Sequence, residues 1–146
     1  MRKVFLDANI ILDLIDKNRN CVEQTRLAIA TLLQNGDTLM TSCDIFTTVY
    51  YVAQKHVDRE ALLDDLEKIL RFIEVIPIDL SIIEQAIGLN KNALNEDFED
   101  ILQYTCAKSA SCELIITNDK GFFKRDIEVV SIKIVLSTHE REKYGS

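Results

Sequence analysis

Residues 4–13 read VFLDANIILD, and this opening segment sets the expectation for the fold. The apolar run 4–6 predicts a short strand that ends at Asp7, and apolar residues then recur at helical spacing over 9–16. Further along, short apolar runs alternate with segments of helical period, and residues 114–117 are the clearest buried strand. Strands separated by helices imply right-handed crossovers and a parallel sheet. We therefore expect an α/β protein, a three-layer α/β/α sandwich around a central, mainly parallel sheet of about five strands.

The same reasoning predicts the remaining elements. Further helices are expected at residues 22–34, 43–56 and 97–109, the last with Phe98, Leu102 and Thr105 facing inward, and strands at 38–41, 74–78, 127–131 and 132–136. Asp58 is the expected N-cap of a helix with an apolar stripe. The members of that stripe are Leu62, Leu66, Ile69, Leu70 and Ile73. Ser81 and Glu84 have the spacing of a capping box, and Pro77 moves strand 74–78 toward an edge of the sheet.

The composition fits one globular domain. The chain has 146 residues, of which 47% are hydrophobic and 28% charged, so a single domain spanning 1–146 is expected and a disordered chain is excluded. No apolar run approaches the roughly 20 residues of a membrane span, and Asp7 comes too early for a secretory signal. We expect a cytoplasmic protein with no membrane contact. The four cysteines, with no C-x-x-C pair among them, are expected to be thiols at buried or half-buried positions. They are Cys21, Cys43, Cys106 and Cys112.

The net charge limits the kinds of partner. A formal charge of −7 and a pI near 4.8 argue against non-specific nucleic-acid binding, which needs Lys and Arg against phosphate. A nuclease can still be acidic overall if its carboxylates hold metal ions and a local basic strip holds the substrate. The candidates for phosphate contact are Lys55, Arg59, Lys120, Lys124 and Arg125.

Four aspartates are placed where ligands bind to parallel sheets. Asp7 ends the first strand, Asp119 follows strand 114–117, and Asp97 and Asp100 share one face at the start of a helix. Taken singly, an aspartate in such a position is more often structural, as a helix cap or in an Asx turn. Taken together, clustered carboxylates repel one another unless a divalent cation joins them. Oxygen ligands favour Mg²⁺ or Mn²⁺, which can activate water for attack on a phosphodiester.

Three segments in the right order resemble the motifs of PIN-domain nucleases, most closely the VapC-like ribonuclease toxins. They are residues 4–13, 97–103 and 115–122. The resemblance implies a Mg²⁺- or Mn²⁺-dependent endoribonuclease. It transfers the catalytic and metal-binding roles to Asp7, Asp100 and Asp119, with Asp97 as a fourth carboxylate. It also implies that Asn9 and Thr117 orient ligands or a metal-bound water.

One departure from the family concerns the helix after the second strand, where many members carry a Glu. Thr48 occupies that position here, and the nearest acid, Asp44, lies one helical turn away. Asp97 is the expected substitute for the missing carboxylate. If no substitute exists, the site binds metal weakly or has lost its activity.

The implied partners are an RNA substrate, an antitoxin protein and a second copy of the chain in a homodimer. The leading hypothesis is the toxin of a type II toxin–antitoxin pair. Two alternatives stay open within the family: a PIN nuclease of RNA processing without an antitoxin, and a catalytically reduced domain that binds RNA or protein. A phosphatase-like or receiver-like α/β protein is a third alternative. It would need a phosphate-accepting Asp paired with a Lys at a strand end, and the sequence offers no such pair.

Overall fold

The computed structural model describes residues 2–144 and contains one sheet of five parallel strands. The strands are β1 (Lys3–Leu6), β2 (Thr38–Ser42), β3 (Ile73–Ile76), β4 (Leu114–Ile116) and β5 (Glu128–Val130). Their spatial order is β3-β2-β1-β4-β5, and every neighbouring pair is parallel. The strand that precedes Pro77 lies at an edge, as its sequence predicts.

The helices form a layer on each face of this sheet. They are α1 (Ala8–Ile15), α2 (Val22–Gln34), α3 (Cys43–Ala53), α4 (Arg59–Ile69), α5 (Leu80–Lys91), α6 (Phe98–Ser109) and α7 (Ile132–Tyr144). The chain moves in one direction from β1 through β2 to β3, so right-handed crossovers put α1 to α4 on one face. It then crosses back to β4, which puts α5 and α6 on the other. Helix α1 contacts α2, α3 and α4, helix α7 packs on α2, and α5 packs on α6. The three-layer prediction is confirmed.

The two central strands lie in the middle of the core. Every residue from Val4 to Leu6 is fully buried, and so are Ile115 and Ile116. Continuous apolar runs of this kind are typical of parallel strands that are covered on both faces. The hydroxyl of Thr41 donates to the carbonyl of Leu6 at 2.8 Å and ties β2 to the end of β1. Polar side chains that follow the central strands therefore emerge from a rigid base.

The prediction of a strand at residues 132–136 is wrong. Residues 132–136 begin helix α7 instead, because Ser131 Oγ accepts from the backbone N–H of Ile134 at 3.3 Å and so caps that helix. Ile132 and Val135, three residues apart, are both buried, a spacing that suits one face of a helix. Packing thus outweighs the β preference of the branched residues, which is strongly context-dependent.

Three smaller expectations also change. Asp79, and not Ser81, caps α5 by accepting from the N–H of Ile82 at 3.0 Å, so the capping box does not form. The apolar stripe of α4 ends at Ile69, since Leu70 is largely exposed and Ile73 belongs to β3. The third change concerns Phe98 in α6. Phe98 is exposed, whereas Leu102 and Thr105 face inward as expected, and Asp58 caps α4 as predicted.

All four cysteines are free thiols, and they divide by position. Cys106 and Cys112 are buried, which fits a packing role, whereas Cys21 and Cys43 are exposed. The expectation of buried or half-buried cysteines is therefore wrong for the second pair. Among the described residues, no helix combines the length and the apolar character needed to cross a bilayer.

Candidate active site

The site lies where the chain leaves the two central strands in opposite directions. After β1 the chain runs toward β2 and β3, and after β4 it runs toward β5 on the other side. Ligands of open α/β sheets bind outside the carboxyl ends of strands at such a switch point. Asp7 directly follows β1, and Thr117 and Asp119 follow β4. The fold thus brings residues from distant parts of the sequence to one crevice.

Asp7 is the most firmly held acid of the crevice. Its side chain is 5% exposed. One oxygen, Oδ1, caps α1 by accepting from the N–H of Ala8 at 2.7 Å. The other, Oδ2, accepts from Thr117 Oγ1 at 2.7 Å and from Asn9 Nδ2 at 3.1 Å. Burial raises the pKa of Asp7 above its usual value, although the hydrogen bonds from Thr117 and Ala8 oppose that rise.

Thr117 joins the ends of β1 and β4 through a single hydroxyl. It donates to Asp7 and accepts from Asn9 Nδ2 at 3.0 Å and from the N–H of Asp119 at 3.0 Å. A hydroxyl has one donor and two acceptor positions, so this one is fully used. The carbonyl oxygen of the Asn9 amide accepts in turn from the N–H of Asn118 at 3.1 Å. The two supporting residues named from the sequence therefore form one network with Asp7.

Asp119 lies on the exposed turn after β4. Its Oδ1 accepts from the N–H of Gly121 at 2.9 Å, which makes the Asx turn that the sequence also suggested. A Cβ added at Gly121 would approach this same oxygen to 3.4 Å. The structural role does not remove Asp119 from the crevice, because its charge acts on both Asp7 and Asp100.

Helix α6 supplies the other carboxylates. Asp97 is its N-cap, and its Oδ1 accepts from the N–H of Asp100 at 3.1 Å. Partial burial, together with the charges of Asp7, Asp97, Asp119 and Glu99, raises the pKa of Asp100 to about 7. Perturbation of this kind, by desolvation plus like charges in a crevice, is typical of functional sites. The charges of the other three aspartates singled out in the sequence, Asp7, Asp97 and Asp119, thus all act on Asp100.

The donor chemistry suits a hard divalent cation, but the carboxylates do not form a closed ligand shell. Among residues 2–144, no three His, Cys, Asp or Glu side chains are spaced to hold one ion together. The acids can shift one another's pKa without forming such a set, because charges act over several ångströms. Mg²⁺, in contrast, binds its ligands at about 2.0–2.1 Å. Mg²⁺ usually keeps several waters and uses only one or two carboxylates. The oxygen donors of this crevice therefore suit an ion that keeps part of its hydration shell.

Glu99 is an exposed acid beside Asp100 that the sequence reasoning did not name. Its Oε1 accepts from Thr48 Oγ1 at 3.2 Å and from Gln103 Nε2 at 3.4 Å, and its charge acts on Asp7 and Asp100. The signal was present, since Glu99 lies inside the acidic motif at residues 97–103.

Asp44, the acid nearest to Thr48 in sequence, lies elsewhere. It is hydrogen-bonded to the Ser42 hydroxyl, and neither Asp7 nor Asp100 has it among the charges that dominate its pKa. The acid beside Thr48 in space is therefore on α6 and not on α3.

The segment between β4 and β5 is anchored to the far end of α6. Asp126 is hydrogen-bonded to the hydroxyl of Tyr104 and pairs with Lys108 Nζ at 2.9 Å. The Tyr104 ring also packs edge-on against Phe123, with centroids 5.1 Å apart. These contacts restrict the loop that carries Asp119.

The basic residues named from the sequence are on the surface. Lys120, Lys124 and Arg125 are exposed on the segment after β4, the first of them directly beside Asp119. Lys55 lies over the Tyr51 ring at 5.6 Å, just after α3.

Comparison with known proteins places this geometry in a family. The sequence model of the PIN domain matches residues 3–121. The chain is 42% identical over 130 residues to Ribonuclease VapC1 of Aquifex aeolicus (strain VF5), a match that covers 88% of this chain and 90% of that relative.

Two solved structures have the same fold. A toxin–antitoxin complex from Klebsiella pneumoniae aligns with a TM-score of 0.67 at 19% identity, over 88% of this chain and 97% of that one. The Mycobacterium tuberculosis toxin VapC20, described as cleaving the sarcin–ricin loop, aligns with a TM-score of 0.66 at 15% identity, over 82% of this chain and 92% of that one. With its motifs, its parallel sheet and its acidic crevice in the matched region, this chain belongs to the PIN-domain family.

Proposed function

We propose that this protein is a metal-dependent endoribonuclease that hydrolyses RNA phosphodiester bonds and serves as the toxin of a type II toxin–antitoxin pair. The observation that carries the proposal is that the charges of Asp7, Asp97 and Asp119 act on the partly buried Asp100 at the switch point of the sheet. The 42% identity to Ribonuclease VapC1 supports the choice of RNA as substrate. The whole chain, 1–146, is taken as one catalytic domain.

The cofactor is Mg²⁺ or Mn²⁺, because the available ligands are oxygens. Asp7, Asp100 and Asp119 would hold it, with Asp97 at the exposed rim. When bound, such a cation supplies an activated water and neutralises charge on the phosphodiester.

The protein's own residues prepare the crevice for that ion. Thr117 and Asn9 hold Asp7 in one orientation through hydrogen bonds to Oδ2. Asp100, whose pKa is raised to about 7, carries a proton in part of the molecules at neutral pH. Because ligands must be deprotonated, cation binding and loss of that proton are linked. Metal affinity should therefore rise with pH across the neutral range.

The RNA backbone would be held by the basic residues of the rim. Lys120, Lys124 and Arg125 follow β4 beside the crevice, and Lys55 and Arg59 lie around the α3–α4 connection. Because the chain as a whole has a net charge of −7, these residues form only a local basic strip. A homodimer would extend it by bringing two copies together, and an antitoxin could bind over it. The structural relatives include a toxin–antitoxin complex, which supports an antitoxin partner.

The test is cleavage of RNA by the purified chain with Mn²⁺, with Mg²⁺ and with excess EDTA. Internal cleavage is expected with either cation and none in EDTA, after correction for a mock purification. Cleavage that continues unchanged in EDTA would overturn the metal-dependent mechanism.

A catalytically reduced domain is the second candidate, and one observation favours it. Thr48 stands where many family members carry a Glu, and no described set of three ligands is spaced to hold one ion. This candidate predicts that the chain shifts RNA in a gel without cutting it under any metal condition. A nuclease of RNA processing would instead cut, but its gene would have no neighbouring antitoxin gene.

A further inference from the structure

A buried carboxylate outside the crevice holds an arginine in place. Asp13, on α1, is 3% exposed, and its Oδ1 accepts from Arg19 Nε at 2.7 Å. Its Oδ2 accepts from the hydroxyl of Thr25, on α2, at 2.6 Å. The backbone N–H of Arg19 also donates to the carbonyl of Asp16 at 3.3 Å. The connection between α1 and α2 therefore restricts the Arg19 guanidinium to one place beside α1.

The ion pair engages only part of this guanidinium. Within residues 2–144, Nε makes its one hydrogen bond, and neither terminal nitrogen, Nη1 or Nη2, has a partner. The Arg19 side chain is 34% exposed, and it lines an open cleft. A guanidinium carries its donors in a rigid fork that matches the oxygens of a phosphate. With Nε anchored by Asp13, the two terminal nitrogens remain available to a ligand in the cleft.

The cleft is basic although the chain is acidic. Lys17 and Arg26 line it beside Arg19, and of the described residues in its wall only Glu23 is an acid. The side chains of Lys17 and Arg26 make no hydrogen bond or salt bridge to the part of the chain that the structure describes. This balance reverses that of the whole chain, whose net charge is −7. Cations that are grouped in a cleft and not neutralised by their neighbours attract a negatively charged strand such as RNA.

The cleft adjoins the acidic crevice along two routes. Asn9, a member of the crevice network, and Asp13, which holds Arg19, are four residues apart on α1 and so lie on one face of that helix. Gln24 lines the cleft and also a neighbouring groove whose wall contains Asn118. The N–H of Asn118 in turn donates to Asn9. A strand whose scissile phosphate lies in the crevice can therefore continue into the basic cleft.

We infer that Arg19, fixed by Asp13, binds a phosphate of the RNA strand and forms with Lys17 and Arg26 a subsite for single-stranded RNA beside the crevice. The inference rests on the proposed function, since that function makes RNA the occupant of the cleft. Arg19 binds and positions the strand and takes no part in breaking the phosphodiester bond.

Exchange of the buried ion pair for two amides tests the subsite. The double variant Asp13→Asn with Arg19→Gln keeps the net charge and leaves no buried carboxylate without its partner, which would be costly. Binding of a short, fluorescein-labelled single-stranded RNA is measured by anisotropy with Mg²⁺ and in EDTA, in an Asp100→Asn background that slows cutting. We expect the Kd to rise roughly tenfold at low salt, the scale of a lost charge-assisted hydrogen bond. The slope of log affinity against log salt concentration should become shallower by about 0.7.

An exposed ion pair on α4 provides the matched control. Asp65→Asn with Lys68→Gln removes the same two charges from a pair 3.9 Å apart that lies outside the cleft. This control should bind RNA as tightly as the background chain, with the same salt dependence. Thermal melting of both double variants in EDTA shows whether they are folded.

A second variant leaves the buried pair intact. Arg26→Gln removes one exposed cation of the cleft and should raise the Kd about threefold, the scale of an exposed charge interaction. Arg71→Gln makes the same change just before β3, at the other edge of the sheet, and should have no effect.

The inference and the proposed function fail in different ways. A folded Asp13→Asn with Arg19→Gln chain that binds RNA as tightly as its background would overturn the subsite and leave the nuclease standing. If that variant does not fold, unchanged binding by Arg26→Gln would overturn the subsite instead. Weakened binding by these variants, in a chain that otherwise cuts no RNA with Mn²⁺, would support the subsite and overturn the nuclease. A chain that binds no RNA under either condition would overturn both.

Discussion

The hydroxyl of Thr117 donates a 2.7 Å hydrogen bond to Oδ2 of Asp7, and the two residues are 110 positions apart in the chain. This contact joins the carboxyl ends of β1 and β4, the two strands that the chain leaves in opposite directions. The same hydroxyl also accepts from Asn9 and from the N–H of Asp119. One side chain thus sets the positions of two of the acids proposed to bind metal.

Replacing Thr117 tests what its hydroxyl contributes to stability and to RNA cleavage. Thr117→Val keeps the shape but removes one of the donors to Asp7 and the oxygen that accepts from Asn9 Nδ2 and from the N–H of Asp119. We expect a loss of about 1–3 kcal/mol in the free energy of unfolding, the usual cost of unsatisfied buried groups. RNA cleavage should fall by roughly 10- to 100-fold, as when a residue that orients a metal ligand is replaced. Urea unfolding and a cleavage assay measure the two effects. Thr47→Val, on the exposed side of α3, is the control, and equal behaviour of the two variants would contradict the prediction.

Asp100→Asn is expected to lower RNA cleavage without lowering the stability of the protein. The charge removed is the one at the centre of the acidic crevice, so cleavage should fall by about two orders of magnitude or more. The protein without metal should be as stable as wild type or more so, because repulsion from Asp7, Asp97, Asp119 and Glu99 is relieved. A cleavage assay with Mn²⁺ and thermal melting in EDTA give both readings. Asp64→Asn on α4 serves as the control, and near-wild-type cleavage by Asp100→Asn would remove Asp100 from the proposed catalytic site.

The raised pKa of Asp100 predicts how stability depends on pH in the absence of metal. The folded state keeps a proton on Asp100 up to about pH 7, whereas in the unfolded chain this carboxyl loses its proton near the ordinary pKa of about 3.9. Between these values the folded state binds more protons, so the free energy of unfolding falls as the pH rises. The raised pKa of Asp7 acts in the same direction. Asp126, whose pKa is lowered to about 2 by Tyr104 and Lys108, contributes only at lower pH.

Urea unfolding in EDTA at about pH 5 and about pH 8 measures this dependence. Wild type should be less stable at the higher pH, and Asp100→Asn should show a smaller difference. A wild-type stability that rises over this range would mean that the acids do not repel one another in solution.

Assembly is a separate prediction. The chain is expected to form a homodimer, since two copies together could extend the basic strip beyond what one acidic chain offers. Sedimentation at micromolar protein concentration, with and without RNA, checks the state. A monomer at all concentrations would remove the dimer from the proposed function and leave the nuclease site unaffected.

Hydrophobic periodicity was sufficient to predict most of the helices and strands, because it is a local property of the sequence. Apolar spacing predicted helix α2 over the residues it occupies, and the buried runs at 4–6 and 114–117 predicted the two central strands. It failed at residues 132–136, since strand preference depends on which surface a segment packs against. It also chose Ser81 over Asp79 as a cap, because both have the right chemistry and only the backbone path selects one.

The sequence by itself determined which residues could form the site, and the tertiary structure decided how they act on one another. Asp7, Asp97, Asp100 and Asp119 follow from strand ends and a helix start, where position along the chain implies position in the sheet. The contacts of Glu99 with Thr48 and of Thr117 with Asp7 join residues 51 and 110 positions apart. The rise of the Asp100 pKa to about 7 depends on burial and on charges from three separate segments. Burial and through-space charge arise only when distant elements pack together, and for this reason the contact of Glu99 with Thr48 and the raised pKa of Asp100 appear only in the folded chain.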